Sequence, residues 1–136
     1  MSGAGFFSSK AFAVVGASAD RSKYGNKVLQ WYMDNKLPVT PINPRTDEIE
    51  GLACAKDLAD LPQPHSELSV SVITPPHVSR HVMDQMVSLG IRHVWFQPGS
   101  EPPEFKELAK IHGIHAIGNG PCILVEGESL LSQAKL

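Results

Sequence analysis

A chain of 136 residues with a formal net charge of −2 is long enough for one domain with a sizeable core, but has no basic excess with which to grip nucleic acid. No apolar run approaches the ~20 residues that span a bilayer, and the first ten residues lack the basic-then-apolar order of a secretory signal. Cys54 and Cys122 are too few and too distant for a disulfide framework or a Cys-x-x-Cys site. The expected setting is therefore the reducing cytoplasm, with neither membrane nor nucleic acid as a partner.

Residues 1–9 read as an N-terminal tail. Ala11–Val15 is a near-continuous apolar run, the pattern of a strand covered on both faces. It ends at Gly16-Ala17-Ser18, passes through a polar loop holding Arg21 and Lys23, and reaches Tyr24-Gly25. A helix is expected from about Lys27, with Val28, Leu29, Tyr32 and Met33 on one side and Asp34-Asn35-Lys36 ending it. Strand, glycine turn and helix open a mononucleotide-binding unit. The physical logic is anion capture: glycine lets phosphate approach the backbone, and a helix N-terminus offers unpaired N–H groups and a positive dipole end. Ser18 adds a hydroxyl, and Arg21 and Lys23 add charge. Ser18 stands where the Gly-x-Gly-x-x-Gly fingerprint has its second glycine, and no Gly-Lys-Ser/Thr follows, so the loop is neither that fingerprint nor a P-loop.

Leu37–Ile42 reads as the second strand, its two prolines suiting strand ends or a sheet edge, and Asn43-Pro44-Arg45 closes it. Ile49–Ala53 is a short strand or bulged turn, and Lys56–Leu61 a short helix stopped by Pro62 and Pro64. Leu68–Ile73 alternates apolar and hydroxyl residues as a strand, broken by Thr74-Pro75-Pro76. Val78, Val82, Met86 and Leu89 then share a helix face that Gly90 terminates. His93–Phe96 is a strand running into Gln97-Pro98-Gly99. Ser100 is expected to cap a helix with Pro102 and Pro103 in its first turn and Phe105, Leu108, Ala109 and His112 facing inward. His115–Ile117 is a short strand, Gly118–Pro121 a turn, and Cys122–Val125 a last apolar strand, with residues 128–136 a tail or short helix.

This alternation predicts the α/β class: a single domain, Rossmann-like, with a doubly wound, mainly parallel sheet. Ligands of such sheets sit outside the carboxyl ends of the strands. That rule selects Gly16-Ala17-Ser18, Asn43-Pro44-Arg45, Thr74-Pro75-Pro76 and Gln97-Pro98-Gly99. An NAD site wants Asp or Glu after the second strand, whereas Asp47 and Glu48 come slightly too late. Arg45 suits a phosphorylated ribose, which NADP and coenzyme A both carry. Residue chemistry leaves those two open.

Val15-Gly16-Ala17-Ser18, Tyr24-Gly25, Asn43-Pro44, the strand ending Thr74-Pro75-Pro76, Gln97-Pro98-Gly99 and Cys122-Ile-Leu-Val-Glu126 occur in an order that resembles the small stand-alone CoA-binding-domain proteins. That family is similar to the nucleotide-binding domain of the succinyl-CoA synthetase alpha subunit. The resemblance covers residues 10–127 and marks them as a CoA-binding Rossmann-like domain. It implies that Gly16, Ala17 and Ser18 line the CoA phosphates, that Asn43, Pro44 and Arg45 flank the adenosine, and that Thr74 and Pro75 border the pantetheine path. Tyr24 and Gln97 belong to the same set of motifs. The chain departs from the family pattern at Gly120-Pro121, where a charged residue is common, and at Gly127, where His is frequent.

Other features have plainer readings. His77 and His81 share a helix face but lack further ligands, so no metal site is expected. His112 reads as a packed core histidine. Cys122 reads as a buried, inert thiol, or, if it faces the rim, as a partner for a mixed disulfide with the CoA thiol. Trp31 and Trp95 read as core or interface aromatics, which leaves a homo-oligomer open. The expected function is to bind a small nucleotide ligand, coenzyme A or an acyl-CoA, without catalysis of its own. The alternatives are a small NADP-binding oxidoreductase and a non-catalytic scaffold that has lost its ligand.

Overall fold

In the computed structural model, which describes residues 5–135, strand β1 (Ala11–Val15) lies inside a parallel sheet and sends alternate side chains to two separate cores. Its neighbours are β2 (Val39–Ile42) on one side and β5 (Leu68–Val72) on the other, followed by β6 (His93–Phe96) and β7 (His115–Ile117). The order β2-β1-β5-β6-β7 makes β1 and β5 the topological switch point of a doubly wound sheet. Pro41 is tolerated in β2 because that strand is the sheet edge. The remaining strands, β3 (Glu48–Ile49) and β4 (Leu52–Ala53), form an antiparallel hairpin. Glu50 and Gly51 at its turn both have positive φ, 51° and 82°.

Helices cover both faces. Ala13, Val15, Val70, Val72, Val94 and Phe96 pack with α2 (Pro76–Leu89) and α3 (Phe105–His112) on one side. Phe12, Val14 and Trp95 pack with α1 (Tyr24–Asp34) and α4 (Ile123–Ala134) on the other. Phe6 and Phe7, ahead of β1, are buried in this second core, Phe6 lying edge-on to Trp95 at 5.6 Å. The hydroxyls of β5 also point to this side. Ser69 donates to the Phe6 carbonyl at 2.7 Å, and Ser71 pairs with the Tyr32 hydroxyl at 2.6 Å, so neither buried group lacks a partner. Replacing Phe6 with Ala should remove a fully buried ring and cost about 3–5 kcal/mol. A chemical-denaturation midpoint unchanged by the substitution would show that Phe6 is not a core residue.

Several local expectations change. Helix α1 begins three residues earlier than expected, at Tyr24, and the Lys56–Leu61 segment forms only a 3₁₀ turn over Leu58–Asp60, capped by the Asp57 carboxylate. Ser100 caps no helix. It is buried, and its hydroxyl lies 2.8 Å from the Val72 carbonyl and 2.7 Å from that of Gln97, while α3 starts only at Phe105, beyond both prolines. His112 is exposed at the end of α3, not packed in the core. Cys122–Val125 is not a strand: Ile123 opens α4, which buries Ile123, Gly127 and Leu131 at a spacing of four and leaves Val125 76% exposed. Gly127 has a packing reason, since a Cβ there would lie 2.5 Å from the Trp31 ring. A larger side chain would force α4 off α1.

Candidate functional site

Strand register builds the rim. Val15 is paired with Ile42 on one side and Val72 on the other, and Val72 with Phe96. The next residues, Gly16, Asn43, Ile73 and Gln97, therefore leave the same edge side by side. Gly16 has φ +95°, and α1 begins directly above it: a Cβ on Gly25 would sit 2.1 Å from the Gly16 carbonyl oxygen. Asn43 locks β2 to this turn. Its Nδ2 donates to the Ala17 carbonyl at 3.0 Å, while its Oδ1 accepts from the Arg45 and Thr46 amides at 2.8 and 3.1 Å. Buried Asn26 ties down the far side of the loop, donating from Nδ2 to the Ser18 carbonyl and to Glu50 at 2.8 and 3.0 Å.

Two cavities open along this edge, with Thr74 in the wall of both. The first, about 300 Å³, lies over the ends of β1 and β2 and is lined by Gly16, Ala17, Asn43 and Pro44, with Lys56, Asp57 and Gln85 among its other walls. The second, about 620 Å³, lies over β5 and β6, is lined by Tyr24, Ile73, Thr74, Pro75, Gln97, Pro98, Gly99, Ser100 and Cys122, and is largely apolar. Gly16, Ala17, Tyr24, Asn43, Pro44, Thr74, Pro75 and Gln97 are thus brought to one continuous edge.

The structure places the other four candidates beside these cavities rather than in their walls. The Ser18 hydroxyl accepts from the Asp20 amide at 3.1 Å, within its own loop. Arg21 is committed elsewhere: its guanidinium grips both oxygens of Glu50 at 3.0 and 2.9 Å, tethering the loop to the β3–β4 hairpin. That hydrogen bonding holds the Glu50 carboxyl below, and the Arg21 guanidinium above, its ordinary range. Lys23 and Arg45 are exposed. Ser100 and Lys56 line cavities but were not among the expected contacts, and Cys122 takes the rim position that the sequence left open. Ser100 adjoins Gln97-Pro98-Gly99, so its place was near at hand; Lys56 and Cys122 reach the rim only through tertiary folding.

Cys122 and Tyr24, 98 residues apart in the chain, touch at 2.5 Å between Sγ and the phenol oxygen. Tyr24 also donates to Gln97 Oε1 at 3.2 Å, and the same oxygen accepts from the Ile123 amide at 2.9 Å, satisfying a first-turn donor of α4. Burial, together with contact with Cys122, pushes the Tyr24 phenol well above its ordinary range, so it stays a neutral hydroxyl. Gln97 is fully buried, and its Nε2 has no partner among the described residues.

A doubly wound parallel sheet with an open cleft over its switch point defines a Rossmann-like ligand-binding domain. The chain belongs to the CoA binding domain family, which it matches over residues 10–128. It is 29% identical over 118 residues to an ADP-forming acetate–CoA ligase of Methanocaldococcus jannaschii, a match spanning 80% of this chain and 16% of that enzyme. Among solved structures it resembles a conserved hypothetical protein of Pyrococcus furiosus, with 36% identity and a TM-score of 0.78 across 86% of this chain and 98% of the other. It also resembles the dinucleotide-forming acetyl-coenzyme A synthetase 1 of Ca. Korarchaeum cryptofilum in complex with phosphate and ADP, with 28% identity and a TM-score of 0.68 across 82% of this chain and 25% of that one. The matches thus span 16% of the ligase and 25% of the synthetase, and 98% of the Pyrococcus furiosus protein. The family match favours coenzyme A over NADP. Among the described residues, no helix is long and apolar enough to cross a membrane.

Proposed function

We propose that this chain binds coenzyme A, or an acyl-CoA, along the carboxyl edge of its sheet and holds it without turning it over. The observation that carries this reading is the pair of adjoining cavities that meet at Thr74, a smaller one with Lys56 and Asp57 in its walls and a larger one walled by uncharged residues. A CoA molecule has the same division: a charged nucleotide end and a long, uncharged, amide-bearing arm. The nucleotide would lie over Asn43 and Pro44, with exposed Arg45 within reach of the ribose phosphate. Its pyrophosphate would meet the backbone of Gly16 and Ala17, with Ser18, Lys23 and the N-terminus of α1 alongside. Thr74, Pro75, Tyr24 and Gln97 would border the arm. Arg21 contributes by anchoring the loop through Glu50 rather than by touching phosphate.

Thermal unfolding in the presence of CoA, NADP, NAD and ATP tests the assignment. CoA should stabilise most, by about 2.7 kcal/mol when present at a hundredfold excess over its Kd. A larger stabilisation by NADP would overturn the choice of ligand. No stabilisation by any of the four would favour a scaffold that has lost its cofactor.

A further inference from the structure

We propose that Cys122 is a covalent capture point for the thiol end of the ligand: a cysteine that exchanges with a CoA disulfide and retains one CoA as a mixed disulfide. This inference rests on the CoA-binding reading above. Three independent features converge on it. Cys122 lines the larger cavity and is fixed from both sides, by the Trp95 indole donating to the Pro121 carbonyl at 2.9 Å and by the Gln97 amide holding the Ile123 amide at 2.9 Å. Its side chain caps nothing, so the sulfur is not occupied by the start of α4. Finally, buried Gln97, in the same cavity wall, keeps an Nε2 that is unpartnered among the described residues.

The orientation of that amide is decided by its surroundings. Ile123 N–H and Tyr24 O–H both need an acceptor, so Oε1 must face them, and Nε2 is left as a donor without a protein acceptor. A buried donor of this kind costs free energy until an acceptor arrives. The donor belongs to the same amide that Tyr24 links to the Cys122 sulfur. A ligand arm with an amide carbonyl a few bonds from its sulfur would satisfy both groups at once, and the pantetheine arm of CoA has that arrangement.

Tyr24 can hydrogen-bond the sulfur in either of its forms. In the thiol form, Cys122 S–H donates to the Tyr24 oxygen while Tyr24 O–H donates to Gln97 Oε1. Once the proton leaves, Tyr24 can turn its O–H to the thiolate, and Gln97 Oε1 keeps the Ile123 amide. The thiolate then attacks one sulfur of the CoA disulfide. The ligand S–S bond breaks, a new bond joins Cys122 Sγ to one CoA, and the other CoA departs as a thiolate that takes up the proton Cys122 released. The Cys122 sulfur is oxidised and the departing sulfur reduced, with no further oxidant. Cys54 lacks these provisions: burial, with Asp47 and Glu48 nearby, holds its thiol above the ordinary range.

The test is intact-mass spectrometry of the full chain mixed with CoA disulfide or, separately, with glutathione disulfide. One CoA should add to the wild type and to Cys54→Ser, none should add to Cys122→Ser, and a thiol reductant should release it. Exchange should run about tenfold faster with CoA disulfide than with glutathione disulfide, because binding of the nucleotide end raises the local concentration of the sulfur. Tyr24→Phe should slow the exchange while leaving the adduct on Cys122. Labelling of Cys54 at an equal rate, or equal rates for the two disulfides, would overturn the proposal. Thermal stabilisation by reduced CoA separates the two levels: stabilisation without an adduct sinks the capture point alone, and absence of both sinks the CoA reading with it.

Discussion

Gly25→Ala should both destabilise the protein and abolish its response to CoA. Two effects of the substitution oppose each other. Alanine is the better helix former by about 1 kcal/mol, which would stabilise α1 if the new methyl met open space. Here it meets the Gly16 carbonyl oxygen at 2.1 Å, with the Gly16 carbonyl carbon at 3.2 Å and Ala17 Cα at 3.4 Å behind it. All three are backbone atoms, so no side chain can swing aside. The helix start must lift or the glycine turn must deform, at a cost near the top of the ~1–3 kcal/mol range for overpacking. The clash wins. Because the displaced atoms are those of the proposed phosphate-binding turn, ligand binding should fall further than stability does. Denaturation midpoints and CoA-induced thermal shifts of the two proteins check this. Wild-type behaviour in both would show that the helix does not rest on the turn.

The sequence made the alternation of strands and helices legible because each strand of the parallel sheet is a short run of apolar or alternating apolar residues with glycine, proline or asparagine within three residues of its end. It also made the rim legible, since parallel strands of equal register deliver their following residues to one edge, as Val15, Ile42, Val72 and Phe96 do. Helix α4 was hidden for an identifiable reason. Cys-Ile-Leu-Val has the β-branched, apolar look of a strand, and the helical repeat Ile123, Gly127, Leu131 is masked by a glycine that contributes no hydrophobicity. That glycine is there for the Trp31 ring, a contact with no trace in local sequence. Arg21 illustrates the same limit. A loop cation reads as a phosphate ligand until the fold shows Glu50, 29 residues away, already holding it.

The Cys122 contact with Tyr24 was illegible for a related reason. Nothing local in either residue announces a partner 98 positions off, and only the placement of α1 and α4 on the same face of the sheet brings them together. The consequence is chemical. Among the described residues, the larger cavity has a thiol, a neutral phenol and an unpaired amide donor along one wall and no charged residue in its lining. Such a wall suits a neutral, amide-bearing arm, whereas the smaller cavity, with Lys56 in its lining and Lys56 paired to Asp47 at 2.9 Å, is the one in contact with charge.

Asn43→Asp separates shape from charge at that smaller cavity. The substitution is nearly isosteric, and the carboxylate can still accept from the Arg45 and Thr46 amides as Oδ1 does now. What it loses is the donor to the Ala17 carbonyl, which would instead face a second oxygen at the present 3.0 Å separation. Leaving that carbonyl unmatched costs about 1–3 kcal/mol. The new negative charge would also sit in the cavity proposed for the nucleotide, where it opposes phosphate. CoA affinity should fall by about 10–100-fold, equivalent to ~1.4–2.8 kcal/mol. Asn43→Ala removes the same donor, together with the acceptor for the Arg45 and Thr46 amides, without adding charge, so it should weaken binding less. The difference between the two variants should shrink as salt is raised, because screening acts on the charge term and not on the missing hydrogen bond. Calorimetric titration of CoA into both variants at low and high ionic strength reads that difference directly. If Asp and Ala at position 43 weaken CoA equally at every salt concentration, no phosphate lies near Asn43, and the nucleotide end of the ligand must be placed elsewhere.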